Sequence, residues 1–124
     1  MLEKVQRRAT RTIPMMKKLS YETRLEKLGI TTLETRRKRG DMIQLFKIFN
    51  NIEAVELMRP PAFNTSSVTR GHHMKYIREI CPVTTRQNFI TNRSASLWNS
   101  LKEGTINSKS VDNFKINLDK DFIY

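Results

Sequence analysis

A chain of 124 residues is the usual size of one domain. Its hydrophobic fraction of 38% lies below the ~45–50% of typical globular domains, so a self-sufficient core would be thin. Its 23 Lys and Arg against 12 Asp and Glu leave a net +11, a surplus that points first to nucleic acid and second to an anionic membrane or an acidic protein. One cysteine, Cys81, excludes an internal disulfide and is what a reduced compartment would give. No apolar run approaches the ~20 residues of a membrane span, and no signal core follows Met1. The expected location is intracellular, in nucleus or cytoplasm.

The charge is lopsided. Residues 1–40 hold 12 basic and 4 acidic side chains, net +8, whereas the remaining 84 hold 11 and 8, net +3. The amino-terminal third is therefore the expected anion-contacting part.

In chain order, Leu2, Val5, Ala9, Ile13 and Met16 recur at helical spacing, with Lys4, Arg7, Arg8 and Arg11 on the other side. This predicts an amphipathic basic helix whose apolar side packs inward. Pro14 disfavours helical geometry at Ile13, so the helix should stop near Thr12. "LSYETRLEKLG" predicts a second helix, capped by Ser20 and closed by Gly29, with Leu25 and Leu28 inward. A third helix follows, in which Thr31 and Glu34 fit a capping box. At ~100° per residue, Met42, Leu45, Phe46 and Phe49 share one side. Arg36, Arg37, Gly40, Gln44 and Lys47 share the opposite side, with Lys38 and Arg39 on the flanks.

Asn50-Asn51 interrupts, and "IEAVELM" is compatible with one or two more helical turns. "RPPAFNTSS" predicts a loop. "HHMKYIREI" is the best strand candidate, with Met74, Tyr76 and Arg78 on one face and Lys75, Ile77 and Glu79 on the other. From Thr85 to Leu101 the apolar spacing is compatible with a helix, although "TNRSAS" is poor in helix formers and the first half is equally compatible with an extended chain. Gly104 should end that unit. Ser110 then caps a last helix carrying Val111, Phe114, Leu118 and Phe122 on one face. The expected fold is mainly α, a small assembly of about four or five helices with at most a short β segment near residues 73–80. Its expected organisation is a basic helical segment over 1–50, a loop-rich connection over 51–72, and a strand plus carboxyl-terminal helices over 73–124.

Phosphate contacts need forked or flexible cations spaced along a surface, and they supply affinity without reading sequence. Arg7, Arg8, Arg11, Arg36, Arg37, Arg39 and Lys47 are the candidates, and the bare backbone at Gly40 would admit a close approach beside them. The competing reading is a solvated helix face partly neutralised by pairs such as Arg37–Asp41. Arg39-Gly40-Asp41 spells the cell-adhesion tripeptide, but that recognition needs an exposed loop and the triplet falls inside a predicted helix. His72, His73 and Cys81 lack the ligand spacing of a zinc site and are expected to be polar loop residues and a small filler. Trp98 is expected in the core rather than stacking on a base. Asp41, Asp112, Asp119 and Asp121 are scattered, no glycine loop cradles phosphate, and no Ser–His–Asp set is recognisable. The residues therefore imply no independent enzyme, no metal and no cofactor.

Five pieces in order carry a resemblance: "LEKVQRRATR" from Leu2, "LSYETRLEKLGITTLETRRKRGDMI" from Leu19, "TRGH" from Thr69, "LWNSL" from Leu97 and "SVDNFKINLDK" from Ser110. Together they resemble the carboxyl-terminal part of reverse transcriptases from jockey-like, LINE-type retrotransposons without long terminal repeats, over almost the whole chain. The resemblance implies the thumb end and post-polymerase tail, downstream of the palm aspartates, so it carries over no catalytic residue. It implies a grip on template–primer backbone, RNA or DNA, and a docking relation to the missing palm. It also implies a fragment of a decayed element, with Met1 just ahead of a family block. "IPMM", Ile13 to Met16, stands where relatives usually have a Pro-Gly turn.

Overall fold

Three helices here, those beginning at Tyr21, Leu33 and Val111, are started by short polar side chains that satisfy free first-turn amides. The computed structural model describes residues 1–64 and 70–122. Among these, α1 covers Leu2–Thr12, α2 Tyr21–Leu28 and α3 Leu33–Phe49. Two-residue strands β1, Ala62–Phe63, and β2, Tyr76–Ile77, pair antiparallel with Ala62 opposite Ile77 and Phe63 opposite Tyr76. Four short helices follow, α4 at Thr84–Gln87, α5 at Ile90–Arg93, α6 at Ala95–Asn99 and α7 at Glu103–Ile106, before α8 at Val111–Asp121. The fold is mainly helical, as the sequence pattern implies. No described helix is long and apolar enough to cross a membrane.

Side-chain caps set the starts of α2, α3 and α8. Ser20 Oγ accepts from Thr23 N at 3.2 Å, and Gly29 closes α2 in the left-handed region at φ 63°. Ser110 Oγ accepts from Asn113 N at 3.2 Å. The cap of α3 falls one residue later than the capping box predicts: Thr32, not Thr31, accepts from Thr35 N at 3.1 Å. Glu34 is instead paired with Lys38 at 2.8 Å.

By internal contact the chain divides inside α3, into an amino-terminal unit, Met1–Arg39, and a carboxyl-terminal unit, Gly40–Ile123. The first unit buries one large apolar side chain, Leu25. Polar contacts dominate it. The Tyr21 hydroxyl donates to Glu3, whose other carboxylate oxygen accepts from Leu33 N at 3.1 Å. Gln6 Nε2 donates to the Tyr21 hydroxyl and to the Thr31 carbonyl, both at 3.1 Å. The stripe of α1 that faces inward is thus Glu3, Gln6 and Thr10, at i, i+3 and i+7. The apolar stripe lies about a quarter turn away, leaving Leu2 72% and Val5 62% exposed. This corrects the expectation that the hydrocarbon of α1 packs behind its cations.

The second unit has an apolar core of Met42, Leu45, Phe46, Tyr76, Ala95, Trp98, Leu101, Ile106, Phe114 and Leu118. Phe46 and Phe114 stack with centroids 4.2 Å apart, and Phe49 meets Trp98 edge-on at 5.1 Å. Trp98 is fully buried, and its indole N–H donates to the Met74 carbonyl at 3.0 Å, which satisfies the polar end of the ring. Side chains finish what so short a sheet leaves open. Asn99 accepts from Tyr76 N at 3.0 Å and donates to Tyr76 O at 2.9 Å.

Several segments depart from expectation. "IEAVELM" adds no helical turn, because Asn51 turns the chain at φ 56° and Ile52 N bonds Lys47 O at 2.9 Å. Ala62–Phe63, predicted as loop, pairs with β2, since Phe63 gains an edge contact with Phe49 at 5.0 Å. The rest of that loop, residues 65–67, and Thr69 of "TRGH" lie outside the described residues. The stretch from Thr85 is broken into α4, α5 and α6 rather than one helix. Gly104 sits within α7 instead of ending the preceding unit. His72, predicted as a loop residue, is buried, with Nε2 2.9 Å from the Trp98 carbonyl and Nδ1 accepting from Met74 N at 3.2 Å.

Candidate nucleic-acid interface

On α1, Lys4, Arg7, Arg8 and Arg11 occupy an arc of about 100°, and all four are exposed. Arg7 is held to the unit by its guanidinium over the Tyr21 ring, 4.8 Å from the centroid. Arg8 and Arg11 make no ion pair among the described residues. Arg36 and Arg37 are likewise exposed, on the first two turns of α3. The Glu3–Leu33 bond sets the start of α3 against α1, and Arg37 lines a cleft of about 530 Å3 together with Met1, Leu2, Glu3, Leu33 and Glu34. Five candidates therefore share the amino-terminal unit in exposed positions.

Arg39 and Lys47 behave differently. Arg39 is half-buried. Lys47 belongs to the carboxyl-terminal unit and is half-buried, its ammonium 3.1 Å from Glu53. Glu53 also accepts from Gln44, and these two bonds hold its carboxyl below the usual range. Lys47 is thus a tether at the end of α3, and the helical projection that placed it with Arg36 could not see Glu53 arriving from the following turn. Asp41 is also misplaced by projection. It pairs with Arg93, not Arg37: Arg93 Nη2 and Nε donate to its two oxygens at 2.6 and 2.8 Å, and Ser94 Oγ lies at 3.4 Å. That partner raises the Arg93 pKa, and it draws Asp41 of the Arg-Gly-Asp triplet inside.

The two units treat their acids differently. In the carboxyl-terminal unit, Asp41, Glu53, Glu79, Asp112 and Asp121 are each paired with a Lys or Arg. Glu79 takes both Arg59 at 3.0 Å and Arg86 at 2.7 Å, beside a cavity of about 280 Å3, and Arg86 foremost holds its carboxyl low. In the amino-terminal unit Glu34 pairs with Lys38, while Glu3 is used by a phenol and a backbone amide. Of the 12 cations there, most remain uncompensated, and the +8 is a property of that unit.

Among the described residues no group of His, Cys, Asp and Glu is placed to hold a metal. Cys81 is half-buried near the Val83 carbonyl and Asn92. Sequence reasoning missed Arg24, Tyr21 and the Glu3–Gln6–Thr10 stripe. The signals were present: a polar stripe at i, i+3, i+7 in a helix otherwise split between hydrocarbon and charge, and Arg24 one turn from both Tyr21 and Leu28. No family model matches the chain, and no curated protein or solved structure is similar to it at a significant level.

Proposed function

We propose that the chain is a thumb-and-tail portion of a LINE-type retrotransposon reverse transcriptase, without polymerase activity of its own, that grips RNA or DNA backbones without reading sequence. The observation that carries the grip is the uncompensated charge of the amino-terminal unit, with Arg7, Arg8, Arg11, Arg36 and Arg37 exposed on two helices fixed to one another. Cations so placed gain affinity by releasing counterions from phosphates, and this needs no base contact. The resemblance supports the same role. At the "IPMM" departure, Met15 adopts φ 69°, the conformation that the family's glycine would take without strain.

The test is binding of the full chain to a fluorescent RNA hairpin and a DNA duplex of unrelated sequence across a salt series. Affinity should be similar for both and fall steeply with salt. A salt-independent constant, or no binding at low salt, rejects the reading.

A second reading is favoured by the exposed Leu2 and Val5 of α1: an interaction module that docks on the missing palm or another protein, its charge incidental. Aggregation or a strong exposed-surface dye signal in the isolated chain, with weak nucleic-acid binding, would select it.

A further inference from the structure

Among the described residues Arg24 is the one lysine or arginine that is buried, at 6% exposure. Its neighbours do not neutralise it. Nη1 donates to the Leu19 carbonyl at 3.1 Å and Nη2 to the Arg7 carbonyl at a long 3.4 Å. No carboxylate pairs with it among the described residues, and its buried Nε–H has no hydrogen-bond partner. A buried guanidinium met by carbonyl dipoles and a ring face, with no carboxylate, is poorly compensated, and an orphaned donor adds to the cost.

A second guanidinium is close by. The carbons at the centres of the Arg7 and Arg24 guanidiniums lie 4.8 and 5.7 Å from the centroid of the same Tyr21 ring. The ring face attracts each cation, yet two like charges on one ring repel. The reach of Arg24 back to Leu19 also carries its charge past the Ser20 cap, where the free amides of α2 add positive potential. Burial without a counter-ion, an unused donor, a paired cation and a helix amino terminus are all relieved by one anion.

We propose that Arg7, Tyr21 and Arg24 form a preorganised site for a single phosphate group, the Arg24 Nε–H donating to a phosphate oxygen. Arg7, exposed on α1 with its guanidinium over the same ring, supplies the second cation facing the phosphate. That the phosphate belongs to a nucleic-acid phosphodiester rests on the grip reading above; the anion site itself does not. Arg24 then does two things, tying α1 to α2 through the Arg7 carbonyl and fixing where along the basic surface one phosphate must sit.

The full chain, labelled with ¹⁵N, allows the arginine Nε–Hε signals to be followed separately. Titration with inorganic phosphate, ionic strength held constant with chloride, should move the Arg24 and Arg7 signals saturably while those of Arg36 and Arg37 stay nearly still. An oligothymidylate should move the same two signals. Arg24→Met removes an unpaired buried charge while keeping apolar bulk. It should leave the fold about as stable in chloride, relief of the unpaired buried charge offsetting the lost bonds to the Leu19 and Arg7 carbonyls, and weaken phosphate binding by about 10- to 100-fold, the effect of losing a hydrogen bond to a charged group. A motionless Arg24 signal, an unaltered phosphate response in Arg24→Met, or an Arg24→Met chain that is destabilised and indifferent to phosphate would each overturn the site. Saturation by a polyglutamate peptide but not by phosphate overturns the ligand class. If RNA binds with a steep salt slope while Arg24 stays still, the site fails and the grip survives. If phosphate saturates the site but RNA does not bind, the reverse holds.

Discussion

Replacing Arg8, Arg11 and Arg36 together by Gln tests whether the exposed cations of the amino-terminal unit hold a polyanion. All three are exposed and none forms an ion pair among the described residues, so stability should change by no more than about 0.5 kcal/mol per site. Arg7 is left in place because it lies on Tyr21. With Arg7, Arg8, Arg11, Arg36 and Arg37 each neutralising one duplex phosphate, the slope of log K against log salt is about −4.5. Raising salt from about 50 to 200 mM then lowers affinity about 500-fold. The triple variant leaves two contacts, a slope of about −1.8 and a loss of only about 12-fold over the same range. Fluorescence anisotropy with a DNA duplex measures both slopes, and a thermal melt confirms folding. Lys47→Gln serves as the control, because that ammonium is committed to Glu53, and its slope should match the wild type. If the triple variant keeps the wild-type slope, or if Lys47→Gln changes it as much as any arginine does, the assignment of the grip to this unit is wrong.

Met15→Gly should stabilise the chain by about 0.5–1 kcal/mol: relief of a left-handed non-glycine residue, roughly 1–2 kcal/mol, less the larger entropy that glycine loses on folding, roughly 0.5–1 kcal/mol. The Met15 side chain is 97% exposed, so little packing is forfeited, and a lower melting temperature would contradict the turn geometry. Gly40→Ala meets open space, nothing lying within 4 Å of the added carbon, and should strengthen α3 by about 0.5–1 kcal/mol; a loss of polyanion affinity in the same variant would reveal a backbone approach there. Asp41→Asn keeps the shape but discharges the partner of Arg93, and denaturant melts should show a loss of about 1–3 kcal/mol, moderated because Arg93 is 39% exposed and can regain water. Burial of His72, foremost, lowers its pKa from the usual 6.5, so the unfolded chain binds the proton first. Its contribution is complete above about pH 6.5 and is lost as pH falls through the lower folded value. Melts followed by Trp98 fluorescence should show this, and His72→Gln should flatten it; identical curves for the two proteins would refute it.

Much of the fold was legible in local pattern. Ser20, Gly29, Pro14 and Ser110 mark helix ends because capping and proline geometry act within one turn of chain. The face of α8 that buries Phe114 and Leu118, and the face of α3 that buries Leu45 and Phe46, follow from spacing alone, since in each the apolar positions are contiguous and large. In α1 the same rule fails. Its apolar residues are few, and Glu3 and Gln6 found better partners in Tyr21, Thr31 and Leu33, carrying Thr10 inward with them. Hydrogen bonds across 18 to 30 residues of sequence are invisible to a periodicity argument.

A mainly helical chain and a net +8 in its first third follow from local order alone, because composition and helical period are properties of neighbours along the chain. Which charged groups meet a partner was settled by the packing of distant segments. Lys47 met Glu53, Asp41 was taken by Arg93 rather than Arg37, and Arg24 was buried without an acid. Coulombic pairing depends on distance through space, and a helix projection orders side chains around one axis without saying what approaches from elsewhere.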